Sequence, residues 1–322
     1  MTAKSPSCRA IELDLVATAT GEAESRSAER VQRHLDTCGS CRDDFDRYRA
    51  VESLTRGLRA APPADALARS RAGLESRLAD LKQRRVAYRI FPSPLGHILI
   101  GRSEHGIAVV EYLHGDASLR ASRLAGLEGV EAVPGGPELE RLQRDLLDYI
   151  GGRRRDLDWT LDWRLARSDF ERAVLEATAA IPYGAVASYA GVARRIGKPS
   201  AVRAVAQALR WNPLPIVVPC HRVIGTSGRL TGYAGDKISL KQQLLSVEGV
   251  KLHAAQRDVS VAREAMYALG EGETQYCLPT CGSIGTRSLS LLTLFASRAD
   301  AEARGFAPCT DCRPDLHPLE AA

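Results

Sequence analysis

The chain's eight cysteines fall into three groups, and this spacing constrains the fold more than any other feature. Cys8, Cys38 and Cys41 lie near the N-terminus, Cys277, Cys281, Cys309 and Cys312 near the C-terminus, and Cys220 stands alone between them. Three groups predict three modules. The opening Met1 to Ala10 lacks the charged, apolar, small-residue order of a secretion signal, and no apolar run approaches the ~18 residues that a spanning helix requires. A cytoplasmic chain without membrane contact is therefore expected, and there thiols serve metals or chemistry more often than disulfides.

At about 150 residues per domain, 322 residues allow two domains and a small third. The 44% hydrophobic content supplies a sizeable core and leaves no compositional case for wholesale disorder. The net charge of +5 permits contact with polyanions, but its distribution says more. Between Asp169 and Val250 there are ten Lys/Arg against five Asp/Glu; from Glu271 to Ala322 there are four Arg against seven acids. A phosphate-binding face is expected in the first of these stretches.

Cys277-x3-Cys281 and Cys309-x2-Cys312 form two thiol pairs at metal-ligand spacing, which predicts four thiolates around one structural zinc ion; free or disulfide-bonded cysteines are the alternative. His34-x3-Cys38-x2-Cys41, with Cys8 upstream, supplies three or four ligands of a second zinc site; a helix carrying surface His and Cys is its alternative. Around that second set, Ile11, Leu13, Leu15 and Val16, then Val31 and Leu35, are spaced as helices. So small a helical unit needs a staple such as zinc. Beyond Pro62-Pro63, an Ala/Leu/Arg stretch to Arg85 reads as an exposed linker helix.

From Val86 the pattern turns to short strands, Val86 to Phe91, His97 to Arg102 and Ile107 to Tyr112, followed by helices around Ala117 to Ala125 and Pro137 to Ile150. A helical half begins near Ser168. Ser188 to Ile196 and Ser200 to Arg210 read as helices separated by Gly197-Lys198-Pro199, the size of break found in helix-turn-helix units, with Ser200 as N-cap. The second helix carries Ala201, Ala204, Ala206 and Ala208 beside Arg203 and Arg210, which suits close approach to nucleic acid; a packed core helix with two solvated arginines is the other reading.

Cys220 lies in Pro215-Ile216-Val217-Val218-Pro219-Cys220-His221-Arg222-Val223, where the prolines exclude a regular ladder or helix and hold the thiol on a rigid loop. An unassisted thiol of pKa about 8.5 is only slightly ionised at neutral pH, so activation by His221 and Arg222 is attractive. Neighbours in sequence point apart in regular structure, however, and a turn or a bridging water is needed to connect them. An inert buried Cys beside a satisfied His is the alternative.

Pro219-Cys220-His221-Arg222-Val223, with Asn212-Pro213, Arg203-Ala204-Val205, Ile181-Pro182-Tyr183-Gly184 and Ser188-Tyr189 before it, resembles the O6-alkylguanine DNA alkyltransferase family. Gly228, Gly232-Tyr233, Lys241, Leu244-Leu245 and Glu248-Gly249 fit as well, so the resemblance spans roughly Val86 to Val250. It implies an α+β fold: a small β-sheet subdomain (86–167) and a helical, helix-turn-helix subdomain (168–252). It also implies flipping of an alkylated guanine from double-stranded DNA and irreversible, single-turnover transfer of the alkyl group to Cys220. By position, His221 polarises Cys220 through a water, Glu248 orients His221, and Asn212 ties down the turn. Tyr189 donates to the guanine ring, and Arg203 fills the gap left by the extruded base. The carbonyls of Cys220 and Val223 accept from the guanine amine, the NH of Ala234 lies near the exocyclic oxygen, and Pro215 and Tyr233 wall the alkyl pocket. The chain departs from the family pattern at Ala206 and Gln207, where glycines are usual, and between Tyr233 and Lys241, which is one residue longer; Thr231 is expected to narrow the pocket and favour methyl adducts.

Tyr276-Cys277-Leu278-Pro279-Thr280-Cys281 and Ala303 to Pro314 resemble the zinc domain of bacterial Ada proteins, in which the residue matching Cys277 takes methyl groups from phosphotriesters. The acidic balance here favours a retained zinc fold over that activity. The N-terminal ligand set resembles the zinc-binding domain of anti-sigma factors and implies a protein partner. Five segments are thus expected: a helical zinc module (1–58), a linker helix (59–85), the two alkyltransferase subdomains, and a four-cysteine zinc module (253–322). The reading from another function class is a zinc-dependent alkylation or redox sensor that regulates a sigma factor or another protein.

Overall fold

The computed structural model describes residues 5–59, 64–113, 118–233, 237–255 and 258–319. It divides into two compact units, one up to Leu78 and one from Ala79 onward. In the first, α1 (Pro6–Ala10), α2 (Glu12–Thr20), α3 (Ser25–Thr37) and α4 (Gly39–Arg59) precede α5 (Ala64–Arg84). Ser5 caps α1 by accepting from the Cys8 N–H. Ile11, Leu15, Val31 and Leu35 are buried together with Cys8 and Cys41. Leu13, one of the spaced apolar residues, is instead 87% exposed, because a residue two positions from both Ile11 and Leu15 falls on the opposite face of a helix. No residue of α5 is buried.

The second unit begins within α5, and its first strands are β1 (Arg85–Ser93), β2 (Gly96–Ser103) and β3 (Gly106–Leu113), joined by β4 (Glu131–Pro134) in a sheet of order β3-β2-β1-β4. Helix α6 (Pro137–Ile150) packs Leu139, Leu142 and Leu146 into one core with Phe91, Ile98 and Ile100. Its bounds match the expected helix; the helix expected over Ala117 to Ala125 does not form over 118–125, and Ala117 lies outside the described residues. Two short 3-10 turns, Leu119–Ala121 and Arg123–Gly126, stand in that segment with Ser122 extended between them. The Ser122 hydroxyl donates to the Leu119 carbonyl at 2.7 Å, a local bond that competes with helix continuation.

The remaining elements are α7 (Asp169–Ala179), β5 (Ala185–Ser188), α8 (Tyr189–Arg195), α9 (Val202–Arg210), β6 (Val223–Ile224), α10 (Ile238–Val247), β7 (Leu252–Ala255), β8 (Asp258–Val261), β9 (Tyr267–Gly270), β10 (Gln275–Cys277), β11 (Leu292–Phe295), α11 (Arg298–Glu302) and β12 (Ala307–Pro308). Helices α8 and α9 form the helix-turn-helix, with Gly197 at φ +70° in the break, a conformation that side chains resist. Ser200 does not cap α9: the cap position is Ala201 and no side chain bonds there. Val205, Ala208 and Leu209 face the core, whereas Arg203, Ala204, Gln207 and Arg210 are exposed, so the helix is neither wholly core nor wholly surface.

Six strands form one sheet of order β12-β10-β9-β11-β5-β6. The cysteine-bearing C-terminal segment therefore joins the sheet of the helical half, and the divisions expected at 167/168 and 252/253 both fall inside the second unit. Among the described residues, no helix is long and apolar enough to cross a membrane.

Candidate active site and thiol clusters

The segment before Cys220 is stiff for reasons visible in its bonds. Ile216 has φ +75°, Pro215 bridges to Val218, and the Val218 N–H donates to the Leu214 carbonyl at 2.8 Å. Asn212 binds both sides of this loop: its Nδ2 donates to the Val218 carbonyl at 2.9 Å and to Cys220 Sγ at 3.2 Å, while its Oδ1 accepts from the Leu214 N–H at 2.9 Å.

Cys220, His221 and Arg222 form a 3-10 turn, all three buried, which sends the neighbouring side chains apart. His221 Nε2 donates to Glu248 Oε1 at 2.6 Å, and with that nitrogen carrying the proton Nδ1 is left as the acceptor. Nδ1 is buried and has no hydrogen-bond partner among the described residues. Glu248, which follows α10, also accepts from Arg222 Nε at 2.8 Å, from the Tyr149 hydroxyl and from the Gly184 N–H at 3.2 Å. Tyr149 in turn accepts from Arg222 Nη2 at 2.7 Å. Gly184 is at φ +70°, a conformation that side chains resist, so the turn that brings its N–H to Glu248 favours glycine.

This burial sets the electrostatics. Loss of hydration works to raise the Glu248 carboxyl, but the adjoining His221 and Arg222 outweigh it and hold it at about 2. Burial lowers His221, which keeps its imidazole neutral, and raises the Cys220 thiol, an effect opposed by the Asn212 bond and the Lys241 charge. Lys241 is fully buried, its ammonium held down at about 8 by burial, and it donates to the carbonyls of Val223 and Thr231.

Cys220 lines two cavities. The first, of about 390 Å³, is bordered by Tyr189, Arg203, Arg210, Thr231 and Tyr233; the second, of about 300 Å³, by Tyr112, Asn212, Pro215 and Lys237. Tyr233 and Tyr112 share a buried hydroxyl-hydroxyl bond of 2.8 Å, and the Tyr189 hydroxyl donates to the Thr231 carbonyl at 3.3 Å. Cys220, His221, Glu248, Asn212, Tyr189, Arg203, Tyr233 and Pro215 thus converge on one region. Val223 lies beside it, its carbonyl already accepting from Lys241 with a second lone pair left over. Ala234 and part of the lengthened Tyr233 to Lys241 segment lie outside the described residues.

The other seven thiols gather in two places, and none of the eight is in a disulfide. The ligand atoms of Cys277, Cys281, Cys309 and Cys312 lie within 4.8 Å of one another, as do those of Cys8, His34, Cys38 and Cys41. Four sulfur donors, three of them buried, suit a tetrahedral zinc ion, and the Leu278 N–H donates to Cys312 Sγ at 3.3 Å as it would to a thiolate. Cys8, remote in sequence, reaches its cluster through α1 and lies 3.6 Å from His34 Nε2.

Comparison with known proteins covers most of the second unit. A Bacillus subtilis protein named methylated-DNA-protein-cysteine methyltransferase, constitutive, is 37% identical over 163 residues, which is 51% of this chain and 95% of that protein. The chain belongs to this methyltransferase family. A Salmonella typhimurium methylated-DNA-protein-cysteine methyltransferase is 45% identical over 131 residues, 40% of this chain and 72% of that protein. Residues 169–250 match the 6-O-methylguanine DNA methyltransferase DNA binding domain, and 253–315 match the metal binding domain of Ada. The crystal structure of Mycobacterium tuberculosis OGT in complex with DNA is 36% identical and covers 51% of this chain and 92% of its own, with a TM-score of 0.43. For this methyltransferase, sequence reasoning missed Tyr149 and Tyr112 as parts of the site. Both carried only the signal of apolar spacing, and Arg222, inside the motif, read as an activator of the thiol rather than as the clamp on Glu248.

Proposed function

We propose that this chain repairs DNA by moving the alkyl group of O6-alkylguanine onto Cys220, once per molecule, as a methylated-DNA-[protein]-cysteine S-methyltransferase. The observation that carries the reading is the buried His221–Glu248 pair behind Cys220, with the imidazole neutral and Nδ1 available to receive a proton. The thiol, raised by burial, needs such a base; His221 takes its proton through a water, and Glu248 fixes the ring and stabilises the imidazolium. A bond then forms between Sγ and the alkyl carbon as the bond from carbon to O6 breaks, and the electron pair passes to guanine. Tyr189, whose hydroxyl burial keeps protonated, donates a hydrogen bond to the guanine ring as the electron pair arrives there.

Double-stranded DNA docks on the exposed face of α9, and Arg203 occupies the space of the flipped base. The Val223 and Cys220 carbonyls and the Ala234 N–H read the guanine edge, while Pro215 and Tyr233 flank the alkyl group. Cys277, Cys281, Cys309 and Cys312 hold zinc in a structural role, and no soluble cofactor takes part. Cys8, His34, Cys38 and Cys41 hold a second zinc in an anti-sigma-like module that binds a protein partner such as a sigma factor. The reading places the protein in the cytoplasm, where its eight thiols stay reduced. Counting alkyl groups lost from O6-methylguanine duplex DNA tests the central step: one per chain is expected, and none with Cys220→Ser. Repeated turnover, or retained activity in that variant, would refute it.

A further inference from the structure

The strands of the C-terminal segment, of which β10 carries Cys277, complete the sheet from which the base-handling helix departs. β11 pairs antiparallel with β5, placing Thr293 opposite Ala187 and Phe295 opposite Ala185. β5 ends at Ser188, the N-cap of α8, and the next residue is Tyr189. The buried Ser188 hydroxyl has a partner on each side: it accepts from the Gly191 N–H at 3.0 Å and donates to the Leu289 carbonyl at 3.0 Å. At the far end of α8, Arg195 donates to Thr293 Oγ1 at 2.7 Å and Arg194 pairs with Glu271 at 2.8 Å. Leu289 itself belongs to the apolar cluster that contains Cys277, Cys281 and Cys309 together with Val186 of β5, Ile224 of β6 and Leu245 of α10. The apolar cluster of the thiols thus takes in the strand leading to Tyr189, the strand leaving the Cys220 turn and the helix preceding Glu248.

We propose that Ser188 is a positioning residue for alkyl transfer and that the four-cysteine segment is its support. The Leu289 carbonyl, held beside the thiol cluster, fixes the Ser188 hydroxyl; the hydroxyl caps α8; the capped helix presents Tyr189 to the flipped base. The metal enters only by folding the segment that carries Leu289, and no step of the transfer passes through it. The proposal rests on the assignment of Tyr189 and Cys220 above.

Three versions of the full-length chain test it: Cys312→Ser, Ser188→Ala and Ser188→Thr, each read by zinc content, amide hydrogen exchange over residues 185–195, and Cys220 methylation at limiting and saturating DNA. Cys312→Ser is expected to lose zinc and to speed exchange over 189–195 by about tenfold or more. Ser188→Ala keeps its zinc but requires about tenfold more DNA for the half-maximal rate, because both buried hydrogen bonds of the hydroxyl are lost, with a smaller change in the saturating rate. Ser188→Thr restores the wild-type dependence. Unchanged exchange in zinc-depleted Cys312→Ser, or wild-type DNA dependence in Ser188→Ala, would overturn the proposal. Should Cys312→Ser fail to fold, the Ser188 pair decides, because it leaves all four thiols intact. If wild-type Cys220 never takes a methyl group, the repair reading falls, while the exchange measurement still decides whether the thiol segment supports α8.

Discussion

The cluster of Cys8, His34, Cys38 and Cys41 is enclosed by residues of its own helices, Ile11, Leu15, Val31 and Leu35. The cluster of Cys277, Cys281, Cys309 and Cys312 shares its apolar neighbours with Val186, Ile224 and Leu245, residues that lead to or from the transfer site. Ligand sets of similar chemistry are therefore embedded differently, one in a core made near the ligands themselves and the other in a core shared with the helical half. A zinc site stabilises what folds with it, so zinc at the C-terminal cluster and zinc at the proposed N-terminal site should protect different parts of the chain.

The largest expected effect breaks or confirms that contrast directly. Structural zinc sites contribute about 10 to 16 kcal/mol to the folding of what they hold. Cys309→Ala should release the C-terminal metal and lower both the melting temperature of the catalytic unit and the rate of methyl transfer, whereas Cys38→Ala should unfold the N-terminal helices and leave transfer within about twofold of wild type. Equal effects of the two substitutions on transfer would remove the distinction.

Changes at the site itself should slow transfer without releasing zinc. Glu248→Gln leaves Arg222 buried beside a neutral amide, at a cost of about 3 to 5 kcal/mol, and deprives His221 of its anion, for a rate loss of about 10²- to 10⁴-fold. The same substitution has a pH signature. Glu248 is held at about 2, below the ordinary 4.5, so its contribution to stability is full above the ordinary value and disappears as pH falls through the folded one. Acid unfolding curves of wild type and Glu248→Gln should accordingly converge toward low pH; parallel curves would contradict the pairing. Asn212→Ala removes bonds to Val218, Cys220 and Leu214 and should cost about 1 to 3 kcal/mol, with a slower rate and normal zinc content. A contrast confined to the N-terminal helices is expected as well: denaturant titration should find Leu35→Ala destabilising by about 2 to 5 kcal/mol and Leu13→Ser neutral within about 0.5 kcal/mol.

How much was legible in the sequence follows from the range over which each signal acts. The bounds of Pro137–Ile150 were readable because a proline starts the helix, a glycine follows it and the apolar spacing is regular throughout. Ala117 to Ala125 has comparable apolar content, but Ser122 supplies a competing local bond that spacing does not register. The Cys and His spacings picked out two ligand sets, since ligand pairs three or four positions apart carry their own geometry. Spacing could not show that Leu292–Phe295 would pair with Ala185–Ser188, because both runs are short and apolar and the contact joins residues about a hundred positions apart. Nor could it find Tyr149 and Arg222 around Glu248, a cluster made by three separate elements. Motif resemblance located the thiol; the buried hydrogen bonds that poise it are tertiary.

The most direct measurement is to incubate the zinc-loaded, full-length protein with duplex DNA containing O6-methylguanine and to locate the added methyl group by peptide mass spectrometry. One methyl is expected on the peptide containing Cys220, stoichiometric with the guanine repaired, and none on Cys277 or the N-terminal thiols. An unmodified Cys220 in zinc-loaded protein, or a methyl group carried by another cysteine instead, would contradict alkyl transfer to Cys220.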